Sequence, residues 1–256
     1  MNIIGIIPAR MGSSRFPGKP LAKICGIPMV EHAYHRSSLA GKLSQVYVAT
    51  CDREISHAAH SFGGHVIMTK NTHERASDRV AEAMLKAEKK IKKKVDIVVM
   101  IQGDEPMVFP QMIDCAIVPL LKDPEITVVN LFTALKDRQE QHDPNEIKVV
   151  LDHQNFALYF SRAPIPSDIK SSASIPMFKQ ICIIPFRRDF LLQFNQWKQT
   201  PLEMAESVDM LRILQNGHRI KMVPSKFETY SVDTPADLKK VENLMKKDVL
   251  FKRYRR

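Results

Sequence analysis

The chain has 256 residues and a formal net charge of +10, long enough to bury a full core without disulfide or metal staples. With 44% hydrophobic and 26% charged residues, its composition excludes a wholly disordered chain. The apolar run from Ile3 to Ala9 is too short to cross a bilayer and lacks signal-peptide flanks, so the expectation is a cytoplasmic protein with no membrane partner. Two stretches hold the excess charge, Lys89 to Lys94 and the tail Lys246 to Arg256. Both follow helix-like segments, where cations suit the helix C-terminus, and they read as solvated ends rather than a specific nucleic-acid surface. Cys25, Cys51, Cys115 and Cys182 form no CxxC pair and read as buried free thiols, not as a zinc or disulfide framework.

In chain order, Asn2 to Ala9 is a buried-strand pattern ending in a polar, glycine-bearing loop. Pro28 can open a helix through Arg36. Gln45 to Thr50 is a second strand, Asp52 to His60 a short helix stopped by Gly63-Gly64, and His65 to Met68 a short third strand. Ser77 to Lys90 has helical spacing, Asp96 to Ile101 is a continuous apolar strand, and Pro110 to Leu121 is another helix. Strands that are apolar throughout, alternating with helices, predict an α/β fold: a mostly parallel central sheet with helices on both faces. Ligands of such sheets bind beyond the carboxyl ends of the strands.

From Ile126 the pattern changes. Ile126 to Leu135, Ile147 to Asp152 and Phe156 to Phe160 read as strands without intervening helices, a smaller mixed β insertion. Pro201 to Leu214 reads as one helix ended by Gly217, and Ile220 to Val223 as the last strand. Thr234-Pro235 is the N-cap and first residue of a final helix. No linker divides the chain, so one domain over residues 1–256 is expected, with a strand-rich sub-region at about 126–187.

The loop after the first strand holds Arg10, Gly12, Ser13, Arg15 and Lys19. Cations, hydroxyls and free backbone amides are what a triphosphate needs, although the Walker spacing is missing. Asp104 sits in a Gly-Asp-Glu-Pro turn at a strand end and Asp233 just before a helix. Two carboxylates beside polyphosphate oxygens could hold Mg2+. Asp also favours turns and caps, and nothing in the spacing brings the two together.

The run Ile7-Pro8-Ala9-Arg10, Gly12-Ser13, Arg15 and Pro17-Gly18-Lys19-Pro20-Leu21 resembles the opening of the CMP-KDO synthetase (3-deoxy-manno-octulosonate cytidylyltransferase) family. The resemblance continues through Val48-Ala49-Thr50, Phe62-Gly63-Gly64, Met68-Thr69 and His73, then Asp78-Arg79-Val80-Ala81-Glu82-Ala83. Gln102-Gly103-Asp104-Glu105-Pro106, Tyr159-Phe160-Ser161-Arg162, Pro201-Leu202-Glu203 and Val232-Asp233-Thr234-Pro235 carry it to the end of the chain. It implies a Rossmann-like nucleotidyltransferase that activates a 3-deoxy-ulosonic acid with CTP, in lipopolysaccharide biosynthesis. Ala9, Arg10, Gly12, Ser13, Arg15 and Lys19 would then hold the nucleotide, joined by Thr50, Asp52, Ser77 and Arg79 on the cytidine side. Asp104 and Asp233 match the magnesium ligands, and with Arg10 and Lys19 form the implied catalytic set. Gln102 and Arg162 fall on the side of the acidic sugar. A homodimer is implied, with the strands between Ile126 and Arg187 as its contact region.

The match breaks at four sugar-side positions. Gln180 and Ile184 stand where the family has His and Tyr, and Asp209-Met210 where it has Glu-Gln. Each unpaired buried hydroxyl costs about 1–3 kcal/mol, so these changes predict an altered sugar pocket. The readings left open are KDO itself, another acidic sugar such as an amino-octulosonate or nonulosonate, and a non-catalytic nucleotide-binding paralogue.

Overall fold

A computed structural model describes residues 1–12, 16–167 and 175–255. The chain divides into two compact units, Met1–Asp114 with Thr229–Arg256, and Cys115–Glu228. The second unit takes in the strand-rich stretch expected near 126–187 and extends beyond it at both ends.

The first unit begins with β1 (Ile3–Ala9), followed by the two-residue strands β2 (Lys23–Ile24) and β3 (Ile27–Pro28). These two pair antiparallel across Cys25-Gly26, both with positive φ (51° and 83°), the backbone a tight two-residue hairpin turn requires. The hairpin is not legible in the sequence, because only Gly26 signals it. Next come α1 (Met29–Ser37), β4 (Gln45–Thr50), α2 (Arg53–Ser61), β5 (Val66–Met68), α3 (Ala76–Ile91), β6 (Ile97–Ile101) and the start of α4 (Pro110–Lys122), which runs on into the second unit. Within the unit, β6, β1, β4 and β5 lie side by side, all parallel. Every residue of β6 is buried, as is all of β1 but Pro8, which is why both read as unbroken apolar runs.

The second unit carries β7 (Val129–Ala134), α5 (Arg138–His142), β8 (Lys148–Leu151), β9 (Ala157–Ser161), β10 (Phe178–Ile181), β11 (Ile183–Arg187), α6 (Arg188–Phe194), α7 (Pro201–Glu206), α8 (Met210–Gln215) and β12 (Lys221–Pro224). Its mixed sheet has the order β12-β7-β10-β8-β9, parallel only between β12 and β7. Two expectations are corrected here. A helix, α5, does separate β7 from β8; its residues Arg-Gln-Glu-Gln-His offer no apolar stripe to detect, and Asp137 caps it by accepting from Glu140 N. The single helix expected over Pro201 to Leu214 is two, because Ser207 adopts the left-handed conformation at φ 52° and ends α7.

The chain then returns to the first unit as α9 (Pro235–Met245). Thr234 caps it in a reciprocal capping box with Asp237. Met245 and Phe251 join Ile24, Met29, Met107, Val232 and Val241 in one buried cluster. Arg36 is fully buried beneath this segment, donating to the carbonyls of Met107 and Val108 and to Asp248 Oδ1 at 2.7 Å. His32 lies beside it: Nε2 donates to Ile24 O (2.9 Å) and Nδ1 therefore accepts from Tyr254 Oη (2.9 Å). All four cysteines are free, but none is buried; Cys115 is exposed and the others are intermediate. Each lies at a turn, at the end of a strand or on an outer helix face, which the cysteine count alone cannot foresee. Among the described residues no helix is long and apolar enough to cross a membrane.

Candidate active site

The site forms where β1 ends. Gly18, at φ 73°, turns the loop back so that its N–H donates to Met11 O (3.1 Å), and Lys19 opens a short 3-10 turn. Lys19 Nζ donates to Asp104 Oδ2 at 2.8 Å and to Asp233 Oδ1 at 3.0 Å. Asp104 follows Gly103, where a Cβ would meet Ile7 Cγ2 at 3.2 Å, so the turn hugs β1. Val232 N donates to Asp104 O (2.9 Å), and this one backbone bond draws the segment before α9 against the Asp104 turn. Three residues far apart in the chain thus meet at one point. Burial of Lys19 works to lower its pKa, but Asp104 and then Asp233 outweigh it and leave it raised. Because one ammonium touches both carboxylates, the two can share a cation.

Beside this point lies a cavity of about 310 Å³. Of the residues expected to hold nucleotide, metal or sugar, it is lined by Ala9, Arg10, Gly12, Lys19, Arg79, Gln102 and Asp104. Ser13 and Arg15 lie outside the described residues. Thr50, Asp52, Ser77 and Asp233 are not in its wall. Asp52 Oδ2 accepts from Met11 N (2.7 Å), while its own N–H donates to Thr50 Oγ1 (3.1 Å). Asp52 thus holds the phosphate-type loop by its backbone, and Thr50 steadies Asp52. Ser77 is fully buried on α3. Arg79, 3% exposed, donates to Thr69 Oγ1 and to Lys70 O.

His73, Glu74 and Arg75 are not among the residues expected in the site, yet all three line the cavity. They immediately precede α3, and a charged run ahead of a helix N-terminus was the available signal. His73 Nε2 meets Glu82 Oε2. Glu82 also accepts from Lys70 N (2.9 Å) and pairs with Lys86 (2.7 Å). Partial burial works to raise the Glu82 pKa, but the donors Lys86, Lys70 and His73 prevail and hold it at about 2.

The other sugar-side residues belong to the second unit. Arg162 follows β9; its Nε donates to Glu206 O (2.7 Å) and Nη1 to Pro144 O (2.7 Å). The guanidinium therefore ties the turn before β8 to the end of α7. Gln180, on β10, has a buried Oε1 that meets no hydrogen-bond partner among the described residues, and its Nε2 reaches Cys182 Sγ at 3.7 Å. Ile184 and Met210 are 1% and 0% exposed and belong to the apolar core. Asp209 leads into α8 and its carbonyl accepts from Arg212 N.

A cytidylyltransferase family profile matches residues 4–220. The 3-deoxy-manno-octulosonate cytidylyltransferase of Geobacter metallireducens is 45% identical over 251 residues, 94% of this chain and 96% of that protein. The enzyme of the same name from Solibacter usitatus is 44% identical, over 97% of this chain and 96% of its own. Among solved structures, a CMP:2-keto-3-deoxy-manno-octonic acid synthetase complexed with CTP is similar at TM-score 0.88 and 38% identity, over 96% of this chain and 99% of that one. A 4-diphosphocytidyl-2C-methyl-D-erythritol synthase from Anaerococcus prevotii, at 12% identity and TM-score 0.61 over 96% of this chain and 98% of its own, shares the fold.

Proposed function

Since the chain belongs to the cytidylyltransferase family, we propose that it transfers CMP from CTP to 3-deoxy-manno-octulosonate and releases pyrophosphate. The observation that carries this reading is the meeting of Lys19, Asp104 and Asp233 beside a cavity lined by Arg10, Arg75 and Arg79. The whole-length relatives named for this reaction supply the sugar.

In the reaction the anomeric oxygen of the sugar bonds to the α-phosphorus. The bond from that phosphorus to the bridging oxygen breaks, pyrophosphate leaves, and the hydroxyl proton passes to solvent. Arg10 and Lys19 hold the phosphates and offset the negative charge that gathers on the departing group. Asp52 keeps Met11 N–H, and with it the loop, in place. Asp104 and Asp233 fit magnesium, a hard cation that takes few protein oxygens and completes its shell with phosphate and water. Bound there, magnesium would neutralise polyphosphate charge and lower the pKa of the attacking hydroxyl. By the family resemblance Gln102 and Arg162 are assigned to the sugar, with Gln180 and Asp209 toward its distal end, whereas Ile184 and Met210 pack in the apolar core and offer it no contact. A homodimer in the cytoplasm belongs to the same proposal; it follows from the family resemblance, and sedimentation would check the dimer.

Pyrophosphate release with CTP and a panel of acidic sugars tests the reading. KDO should be turned over with the highest kcat/KM. Release with an amino-octulosonate or a nonulosonate but not with KDO would overturn the sugar, and no release with any would overturn the enzyme.

A further inference from the structure

Asp52 is engaged with the loop backbone and Thr50 with Asp52 N, and both stand outside the cavity wall, so they leave open what distinguishes cytosine from uracil. Resting on the cytidylyltransferase reading, we propose that His73 makes this distinction through Nδ1, and that Glu82 is the positioning residue that sets the ring's tautomer. His73 lines the cavity, and its Nε2 is engaged with Glu82. The Glu82 carboxylate is anchored from two other sides, by Lys70 N and Lys86 Nζ. An ionised carboxylate can only accept, so Nε2 carries a proton, and the neutral ring has its lone pair on Nδ1. Among the described residues nothing donates to that lone pair.

The cavity wall carries four cations, Arg10, Lys19, Arg75 and Arg79, against two carboxylates, Glu74 and Asp104, of which Asp104 is taken by Lys19. An acceptor set among them suits a ligand group that donates. Cytosine carries an exocyclic amine where uracil carries a carbonyl. Against Nδ1 the amine gains a hydrogen bond, whereas the carbonyl meets a second lone pair. A site built to bond an N–H rejects the analogue lacking it far more strongly than a site shaped by packing.

Both side chains are partly exposed, at 18% and 16%, so exchanging them spares the core. The experiment measures kcat/KM for CTP and for UTP, with KDO in excess at pH 8, in wild type, His73→Ala, Glu82→Gln and the double variant. His73→Ala should lower the CTP value about 10-fold while UTP turnover does not fall, so the preference for CTP falls at least about 10-fold. Glu82→Gln keeps the shape but can donate as well as accept, which admits the tautomer bearing its proton on Nδ1. That tautomer suits uracil, so UTP turnover should rise while CTP turnover falls; a residue holding only the loop would lower both. The double variant should match His73→Ala. An unchanged CTP to UTP ratio in His73→Ala, or an equal loss for both nucleotides, would overturn the proposal. A wild type that turns over neither nucleotide would instead sink the cytidylyltransferase reading.

Discussion

Asp104 and Asp233 share one lysine, which makes the consequence of losing either charge easy to separate from a loss of fold. Asn matches Asp in shape and is tolerated in turns and before helices. Asp104→Asn and Asp233→Asn should therefore melt within a few degrees of wild type. Each should lose about 100-fold or more in kcat, because a neutral amide holds a hard cation poorly; near wild-type turnover at limiting magnesium would show that the residue is not a ligand. At His32 the consequence falls on stability. Burial, with Arg36 adding to it against the Ile24 carbonyl, lowers its pKa from 6.5 to about 4. Burial also raises Tyr254 to about 12, so the phenol stays a donor to Nδ1. The fold resists a proton that the unfolded chain accepts near 6.5. Stability is thus complete above that pH and is lost as pH falls toward 4, by about 3 kcal/mol in all. Melting curves between pH 7.5 and 4.5 should show the fall, and His32→Asn should flatten it.

Among the elements, the contact between α1 and the segment after α9 is the one most exposed to single changes. Asp248 answers a guanidinium that has no access to water. Asp248→Ala leaves that charge buried and unpaired, an expected cost of about 3–5 kcal/mol by urea denaturation. A loss under 1 kcal/mol would mean that the carbonyls of Met107 and Val108 suffice. The central strands were legible in the sequence, since β1, β4 and β6 are buried on both faces and written as unbroken apolar runs. The start of α9 was equally plain, with Thr234 and Pro235 in their expected places. Elements without an apolar stripe were not legible: α5 is polar all round, and the break at Ser207 depends on a backbone angle that serine does not advertise. In the site, Lys19, Asp104 and Asp233 could each be picked out by type and position. Their meeting could not, because it depends on the bond from Val232 N to Asp104 O, across 128 residues of sequence. His73 and Glu82 matched family positions, but their pairing, nine residues apart, needs the turn into α3.

At the scale of the whole molecule, the +10 charge has separate sources rather than one face with one purpose. The stretch after α3 is exposed, whereas the tail is only partly so: Phe251 is buried and Tyr254 half-buried. Removing residues 246–256 should therefore do more than lower the charge. It takes away the partners of Arg36 and His32, and the shortened chain should melt at a clearly lower temperature; an unchanged melting point would reduce the tail to a solvated appendage. The first unit is assembled from both ends of the chain, with the second unit's 114 residues between its parts. During synthesis at roughly 5–20 residues per second, 1–114 emerges several seconds before 229–256. Throughout that interval the nascent protein owns Lys19 and Asp104 but neither Asp233 nor the segment that covers Arg36. An interrupted translation product thus carries an uncovered arginine without its carboxylate and half a carboxylate pair, and should be cut by protease faster than the complete chain.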